Sequence, residues 1–166
     1  MTYDVIVIMG VAGCGKSTVA EKVAARLGAP FIEADKLHPP ENVDKMKGGT
    51  PLTDEDRLPW LLAVHKVLLS STHPAVLACS VLKKSYRNLL SDGLRTLFVL
   101  LDVERSLLVS RLESRPGHFF PVSLLDSQLA TLERPSQGES TLIIPVTVST
   151  TVERTVDTIV NAVIAK

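Results

Sequence analysis

The sequence lacks an excess of charge of either sign and lacks any long apolar run. Eighteen lysines and arginines balance eighteen aspartates and glutamates, so no overall field attracts nucleic acid or an anionic membrane. No apolar stretch approaches the roughly 20 residues needed to cross a bilayer, and the N-terminus lacks the basic start and cleavage pattern of a secretory signal. We therefore expect neither nucleic acid nor a membrane as a partner.

Cysteine is also scarce. The two cysteines, Cys14 and Cys79, are far apart in the chain and do not form a metal-binding spacing, so no disulfide is expected and a reducing cytoplasm is the simplest location. The 166 residues, of which 45% are hydrophobic, suit one compact domain over residues 1–166 with a sizeable core.

One stretch of the chain matches a phosphate-binding pattern, from Gly10 to Ser17, in the order glycine, four residues, then Gly-Lys-Ser. The β-branched run before it is typical of a buried parallel strand, and the apolar spacing after Lys16 predicts a helix that ends at Gly28. Backbone N–H groups of such a loop surround a phosphate, while the lysine reaches the β- and γ-phosphates and the serine hydroxyl binds Mg²⁺. A nucleoside triphosphate is the predicted ligand, the alternative being an ordinary glycine-rich turn. The predicted nucleotide-binding residues are Gly10, Val11, Ala12, Gly13, Cys14, Gly15, Lys16, Ser17 and Thr18.

Two acids, Glu33 and Asp35, end a second predicted strand at 30–35. Because side chains alternate along an extended chain, the two carboxylates are predicted to lie on the same side. Ligands of parallel sheets bind beyond the carboxyl ends of the strands, which places the pair beside the γ-phosphate. The alternative is a solvated strand end or a helix cap.

Several cations stand where an anion would bind. Three of them lie in residues 83–87, directly after a third predicted strand at 75–80, and cations are unfavourable at a helix N-terminus unless they have a partner there. A solvated helix start is the alternative. Arg57 follows a Thr-capped acidic turn at 53–56 that predicts a helix through about residue 71, and it is either a ligand or a partner in an ion pair of that helix.

A mobile lid is predicted at about 115–123. Arg111 and Arg115 lie four residues apart on one predicted helix face and lead into a segment bracketed by proline and glycine that contains two aromatics. Such a segment closes over a pocket and brings arginines onto the charge of a transferring phosphoryl group.

Five strand–helix units predict an α/β P-loop kinase fold, with a five-stranded parallel sheet and helices on both faces. The last two strands are predicted at 97–101 and 142–148, and later helices at 122–133 and from 152 onward. The guanine-reading Asn-Lys-x-Asp and the Asp-x-x-Gly of GTPase switches are absent, and a motor ATPase needs a longer chain. A small kinase remains.

Five groups of residues resemble the gluconokinases, which are relatives of shikimate kinase and the nucleoside monophosphate kinases. They are Gly-Val-Ala-Gly-Cys-Gly-Lys-Ser-Thr at 10–18, Asp-Lys-Leu-His-Pro at 35–39, Pro-Leu-Thr-Asp-Glu-Asp-Arg at 51–57 with Pro-Trp-Leu at 59–61, Cys-Ser-Val-Leu-Lys-Lys at 79–84 with Tyr-Arg at 86–87, and Arg-Pro-Gly-His-Phe-Phe at 115–120. The resemblance runs over nearly the whole chain. Shikimate kinase has a Gly-Gly-Gly after one of its strands, which this chain lacks.

The resemblance implies ATP-dependent phosphorylation of D-gluconate at its 6-hydroxyl, giving 6-phospho-D-gluconate and ADP, and suggests a homodimer. Asp35 would orient the hydroxyl and accept its proton. The predicted catalytic residues are Lys16, Asp35, Arg111 and Arg115, and the predicted Mg²⁺ ligands are Ser17 and Glu33. The predicted substrate-binding residues are Asp35, His38, Arg57, Lys83, Tyr86, Arg87, His118 and Gln128. The alternatives are a kinase for another small hydroxy acid or a nucleotide, and a non-catalytic ATP-binding protein.

Two positions depart from the usual pattern of this family. Glu33-Ala34-Asp35 stands where Asp-Gly-Asp is common, which leaves the water-mediated hold of the first acid on Mg²⁺ open. Cys14 stands where serine is usual, and a helix N-terminus lowers the pKa of a thiol. One hypothesis is that oxidation or alkylation of Cys14 blocks nucleotide binding; the other is that Cys14 is merely small enough for the loop.

Overall fold

A computed structural model describes residues 2–114, 121–136 and 140–165. The strands are β1 (Val5–Met9), β2 (Phe31–Glu33), β3 (Ala75–Ala78), β4 (Thr96–Val103) and β5 (Thr141–Val146). The α-helices are α1 (Lys16–Leu27), α2 (Pro40–Lys47), α3 (Asp54–Ser70), α4 (Lys84–Leu90), α5 (Arg105–Glu113), α6 (Val122–Thr131) and α7 (Val152–Ile164), and a 3₁₀ helix covers Ala34–Leu37. The predictions for Arg115 and His118, and most of the predicted lid, lie outside the described residues.

The five strands form one sheet in the order β2-β3-β1-β4-β5, and every neighbouring pair is parallel. Strand β1 is at the centre and completely buried. Ile6 and Ile8 face a core shared with α1, α5 and α7, whereas Val5, Val7 and Met9 face a core shared with α3 and α4. A strand buried on both faces needs an unbroken apolar run, which is why the sequence identifies β1 so clearly. The predicted α/β class and helices on both faces are confirmed.

The loops that follow the strands gather at one edge of this parallel sheet, since all five strands run the same way. The loop after β1 is therefore flanked by the segments that follow β3 and β4. This edge carries most of the residues that the sequence singles out. None of the described helices is long and apolar enough to span a membrane.

The second strand is shorter than predicted. It ends at Glu33, and the chain turns into the 3₁₀ helix at Ala34, so Glu33 and Asp35 do not share one side of an extended strand. The turn has a visible cause, because Ala34 is completely buried and its carbonyl accepts a hydrogen bond from the Trp60 indole at 2.7 Å. A tertiary contact from α3 thus overrides the local strand pattern.

Helix α2 is absent from the prediction, which assigns no element to residues 36–50. In the structure, Pro40 is the first residue of the helix and Gly48 is its C-cap. Proline fits the first helical position because its missing N–H has no intrahelical partner there. A proline and a glycine thus mark the two ends of this helix.

The start of α3 follows the prediction. The Thr53 hydroxyl accepts from the Asp56 backbone N–H at 3.1 Å, and the Asp56 carboxylate accepts from the Thr53 backbone N–H at 2.9 Å. This reciprocal capping satisfies two backbone donors that the helix leaves unpaired. It also fixes the direction in which Arg57, the next residue, leaves the first turn.

Candidate active site

The loop between β1 and α1 has the backbone geometry of a phosphate cradle. Gly10 and Gly15 have φ values of 150° and 90°, which residues with a Cβ rarely adopt. A Cβ at Gly10 would also lie 2.7 Å from Cys14 Sγ. Gly15 is the N-cap of α1 and makes no side-chain cap, so the first backbone N–H groups of this helix point out to an anion.

Lys16 is the first residue of α1, and its ammonium group interacts with the carboxylates of Asp35 and Glu33. Partial burial opposes its charged form, but the Coulombic attraction of Cys14, Asp35 and Glu33 outweighs burial and raises the pKa of the ammonium above its ordinary value. Lys16 therefore stays protonated at any physiological pH. A fixed positive charge beside two carboxylates suits a phosphate whose charge grows during a reaction.

Ser17 and Glu33 meet beside Lys16. The Ser17 hydroxyl donates to Glu33 Oε2, while Glu33 Oε1 is buried and has no hydrogen-bond partner among the described residues. A buried carboxylate oxygen without a partner is costly unless a ligand satisfies it. The described residues contain no group of three or more His, Cys, Asp or Glu side chains placed to hold a metal by themselves. A hydroxyl and one carboxylate nevertheless fit Mg²⁺, which takes few protein ligands and completes its shell with water and phosphate oxygens.

Two cavities flank the loop. The first has a volume of about 380 Å³ and reaches from the loop and α5 to the start of α7. Its lining is Gly13, Cys14, Gly15, Thr18, Val19, Leu101, Arg111, Ser114, Val146, Thr150, Thr151, Val152 and Thr155. The second has a volume of about 320 Å³ and lies on the β2 and β3 side of the loop. We call them the donor cavity and the acceptor cavity.

Six of the residues predicted from the sequence line the acceptor cavity. They are Lys16, Asp35, His38, Arg57, Gln128 and, from the predicted nucleotide-binding set, Ala12. Six residues that were not predicted complete the lining: Val43, Met46, Lys47, Leu52, Trp60 and Ser80. Three cations, one carboxylate, an imidazole, an amide and a hydroxyl around one space suit a small polyhydroxylated anion.

The His38 ring is held on two sides. It stacks on Trp60 with ring centroids 4.0 Å apart and planes inclined by 15°, and its Nδ1 lies 3.2 Å from Asn42 Nδ2. Burial lowers the pKa of His38, and Arg57 lowers it further against the opposing pull of Asp35. The ring is therefore a neutral hydrogen-bonding group at neutral pH.

Arg57 reaches across from α3 to α4. Its Nη1 donates to the Tyr86 hydroxyl at 3.0 Å, and its guanidinium carbon lies 5.4 Å from the centroid of the Tyr86 ring. The Tyr86 hydroxyl in turn donates to Asp54 Oδ1. The partner of Arg57 is thus an aromatic hydroxyl rather than an acid of its own helix, and its guanidinium remains in the lining of the acceptor cavity.

Two of the cations after β3, Lys83 and Arg87, have protein partners. Lys83 Nζ lies 2.9 Å from Asp54 Oδ1, and this bond is the main reason that the pKa of Lys83 is raised. Arg87 is only 1% exposed, and its Nη1 donates to the carbonyl oxygens of Val81, at 3.0 Å, and Leu82, at 3.4 Å. Neither of them lines the acceptor cavity. Of the three cations predicted to bind the substrate, Arg57 therefore faces the cavity, whereas Lys83 and Arg87 support its wall.

Arg87 has a specific task in that wall. Val81 has φ of 29°, which is strained for a β-branched residue. The guanidinium donates to the carbonyl oxygens of Val81 and Leu82 and so holds the segment that follows Ser80. We therefore interpret Arg87 as a support for the loop that presents Ser80 to the acceptor cavity.

Two side chains from outside the loop hold its backbone. Arg111 Nη1 donates to the Gly13 carbonyl at 3.1 Å, and the Gln128 Oε1 accepts from the Ala12 N–H at 2.8 Å. Arg111 lines the donor cavity and Gln128 the acceptor cavity. The helices on either side of residues 115–120 are thereby attached to the phosphate loop.

Cys14 is 2% exposed, and its sulfur fills the space that a Cβ at Gly10 would need. A buried thiol is poorly placed for reagents. The geometry favours the simpler hypothesis, that Cys14 is a small residue packed inside the loop. Burial also raises the pKa of the Cys79 thiol to about 12.

The lining residues that were not predicted come from several elements. Lys47, Met46 and Val43 lie on α2, a helix absent from the prediction, and Trp60 comes from the buried face of α3. Ser80 lies two residues beyond the end of β3, so the rule that ligands bind beyond the carboxyl ends of strands was the signal that could have identified it.

Known proteins provide an independent comparison. Residues 12–163 match the family model of shikimate kinase. A gluconokinase of Gluconobacter oxydans (strain 621H) is 54% identical over 138 residues, which cover 81% of this chain and 78% of the relative. The thermosensitive gluconokinase of Escherichia coli (strain K12) is 43% identical over 86% of this chain and 79% of its own. The crystal structure of a gluconokinase from Sinorhizobium meliloti 1021 superposes with a TM-score of 0.84 at 44% identity, covering 96% of this chain and 91% of that one.

Proposed function

Because this chain belongs to the gluconokinases, within the wider shikimate kinase family, we propose that it transfers the γ-phosphoryl group of ATP to the 6-hydroxyl of D-gluconate. The products are 6-phospho-D-gluconate and ADP. The observation that carries this proposal is the pair of cavities on opposite sides of the phosphate loop, one beside Gly15 and Thr18 and the other beside Lys16 and Asp35. Two substrates bound in this way meet at Lys16.

The donor cavity suits the nucleoside end of ATP. It combines aliphatic lining with the hydroxyls of Thr150, Thr151 and Thr155 at the start of α7, while the loop and the N-terminus of α1 receive the phosphates. Ser17 and Glu33 would hold Mg²⁺, whose charge stabilises the phosphates during transfer. The unpaired Glu33 Oε1 supports this assignment.

The chemistry at the acceptor side rests on Asp35 and Lys16. Asp35 accepts the proton of the 6-hydroxyl as the hydroxyl oxygen forms its bond to the γ-phosphorus, while the bond from that phosphorus to the β–γ bridging oxygen breaks. Lys16 stabilises the negative charge on the phosphate oxygens, and the electron pair of the broken bond stays with ADP. Arg111, held against Gly13 at the loop, is proposed to add positive charge on the donor side. Arg115 is proposed to act on the charge of the transferring phosphoryl group.

Gluconate is proposed to lie with its carboxylate towards Arg57. A guanidinium binds a carboxylate in a planar, two-bond geometry, and Lys47 adds a second cation at the same cavity. His38, Gln128 and Ser80 then face the hydroxyls. Three further residues are proposed to support this side without lining the cavity. Lys83 binds Asp54, Tyr86 binds Arg57, and Arg87 binds the backbone of residues 81–82. His118 is proposed as a further substrate contact.

An assay of acceptors tests the proposal. Purified protein with ATP and Mg²⁺ is supplied in turn with gluconate, shikimate and nucleoside monophosphates, and ADP release is followed together with the phosphorylated product. We expect turnover with gluconate alone, with phosphate at the 6-position. Turnover only with another acceptor would identify that compound, and not gluconate, as the substrate. ATP binding without transfer to any acceptor would make the protein a non-catalytic nucleotide binder.

The remaining predictions concern assembly and location. The proposal includes one kinase domain in the cytoplasm and a homodimer, without nucleic acid or membrane partners. The balance of charge supports the last point.

A further inference from the structure

Asn42 is a buried polar residue whose side chain contacts a ring nitrogen of His38. It lies on α2, is 3% exposed, and its Nδ2 lies 2.9 Å from the backbone carbonyl oxygen of Asp56 and 3.2 Å from His38 Nδ1. One amide nitrogen thus bridges the 3₁₀ helix end and the first turn of α3. Neither contact reaches a ligand directly.

The chemistry of the two contacts leaves one assignment of hydrogens. A backbone carbonyl only accepts, so the Asn42 atom beside the Asp56 oxygen is the amide nitrogen and not the amide oxygen. An amide nitrogen only donates, so His38 Nδ1 must be the acceptor of the second hydrogen. A neutral imidazole that accepts at Nδ1 carries its hydrogen on Nε2.

The remaining contacts of His38 agree with this assignment. One face of the ring is covered by Trp60, and the residue lines the acceptor cavity, so Nε2 is the ring nitrogen left for a ligand. A second proton on Nδ1 would oppose the Asn42 amide hydrogens, and burial of the ring already lowers its pKa. The charged groups that line the same cavity are Asp35, Arg57, Lys16 and Lys47.

We infer that Asn42 is a positioning residue that fixes His38 as an Nε2–H donor, and that this donor selects an acceptor hydroxyl in the acceptor cavity. The tautomer part of the inference stands on geometry alone, whereas the hydroxyl part rests on the proposed function. With its hydrogen on Nε2, His38 binds a substrate group that accepts a hydrogen bond beside Trp60 more tightly than a group that can only donate one.

A spectroscopic experiment tests the tautomer without any substrate. Protein carrying ¹⁵N-labelled histidine is studied by long-range ¹H–¹⁵N NMR above pH 7.5, and the His38 signals among the four histidines are identified by their loss in His38→Gln. We expect an unprotonated Nδ1 and a protonated Nε2. In Asn42→Asp, whose carboxylate accepts instead of donating, the hydrogen should move to Nδ1. A wild-type hydrogen on Nδ1, or an unchanged tautomer in Asn42→Asp, would overturn the inference.

A kinetic double-mutant cycle tests the role in binding. Asn42→Asp should raise KM for gluconate about tenfold, the effect of losing one well-placed hydrogen bond, and leave KM for ATP within about twofold of wild type. Glutamine at position 38 offers an N–H near the place of Nε2 but has no Nδ1. In the His38→Gln background, Asn42→Asp should therefore change KM for gluconate by less than about threefold.

The outcomes separate a positioning role from a merely structural one. A tenfold effect of Asn42→Asp that persists in the His38→Gln background would contradict action through His38. Asn161→Asp, an exposed substitution on α7, is the matched control and should leave both KM values unchanged. If wild-type protein does not phosphorylate gluconate, the proposed function fails by itself, and the NMR tautomer then decides for or against the Asn42–His38 pair.

Discussion

The two sides of the phosphate loop are built in different ways. The phosphate-binding part of the donor side is one continuous stretch, in which Gly10 and Gly15 take backbone conformations that other residues rarely adopt. The acceptor side is assembled from side chains of the 3₁₀ helix, α2, α3, the segment after β3, and α6. A phosphate loop formed by the backbone leaves a local pattern in the sequence. A pocket formed by side chains depends on residues that are far apart in the sequence and that only the fold brings together.

The difference should appear most strongly in Lys16→Ala, which removes the side chain proposed to lie between the two substrates. Without this ammonium, the carboxylates of Glu33 and Asp35 repel the phosphates that the loop receives. We expect kcat to fall by at least about 10³-fold and nucleotide affinity to fall as well. Steady-state kinetics and nucleotide calorimetry measure both, and an active Lys16→Ala protein would refute the scheme.

Asp35→Asn should separate the two sides. The amide keeps the size of the side chain but cannot accept the hydroxyl proton, so we expect kcat to fall by about 10²–10⁴-fold. ATP affinity should stay near that of wild type, because Asp35 lines the acceptor cavity rather than the donor cavity. Normal turnover would remove Asp35 from the mechanism, and loss of ATP binding would mean that the two sides are not independent.

Two arginines that the sequence treats alike should behave differently. Arg57→Met should raise KM for gluconate strongly with little effect on unfolding, because the guanidinium lines the acceptor cavity. Arg87→Met removes a buried charged donor from two carbonyls, so it should lower the free energy of unfolding by about 2–3 kcal/mol.

Chemical denaturation and gluconate kinetics on both arginine variants decide this pair. Arg87→Met with full stability and a high KM would restore Arg87 as a direct ligand. Lys83→Met is a useful third variant. Lys83 is partly exposed and bound to Asp54, so its loss should change stability by no more than about 1 kcal/mol.

The smallest effect concerns the turn that carries Arg57. The bond from Lys45, followed by that from the Thr53 N–H, lowers the pKa of Asp56 from 3.8 to about 2. A lowered folded-state pKa stabilises the fold above the unfolded pKa, and this contribution is lost as pH falls through about 2. Urea unfolding at pH 6 should therefore show wild type to be more stable than Lys45→Met, and the difference should shrink between pH 4 and pH 2. A difference independent of pH would exclude the Asp56–Lys45 bond as its source.

These contrasts show which parts of the structure can be predicted from the sequence. The apolar run of β1, the glycine pattern and the helix periodicity predict the sheet, the phosphate loop and the order of elements, because each is a local property. The strand end at Glu33 and the start of α2 depend on the Trp60–Ala34 bond and on proline at a helix start. Local propensity does not contain the first, and no helix was assigned from the second.

The residues of the candidate site can likewise be predicted from the sequence only in part. Lys16 was found from the glycine–lysine pattern and Asp35 from its place near the end of a predicted strand. The family resemblance supplied His38, Gln128 and the role of Arg57 as a substrate ligand. Lys47 and Ser80 line the acceptor cavity without having been predicted, and the predicted ligand Arg87 is buried outside its lining, since a cation in a sequence carries no sign of which way it faces. Burial and partners decide that, and both are tertiary.

The central claim is that a sugar acid lies beside Asp35 while a nucleotide occupies the opposite side of the loop. A crystal structure with gluconate and a non-hydrolysable ATP analogue tests it directly. We predict the 6-hydroxyl within hydrogen-bond distance of the Asp35 carboxylate, the gluconate carboxylate at Arg57, and the nucleoside near Thr151. Gluconate bound away from Asp35, or on the same side of the loop as the nucleoside, would contradict the account.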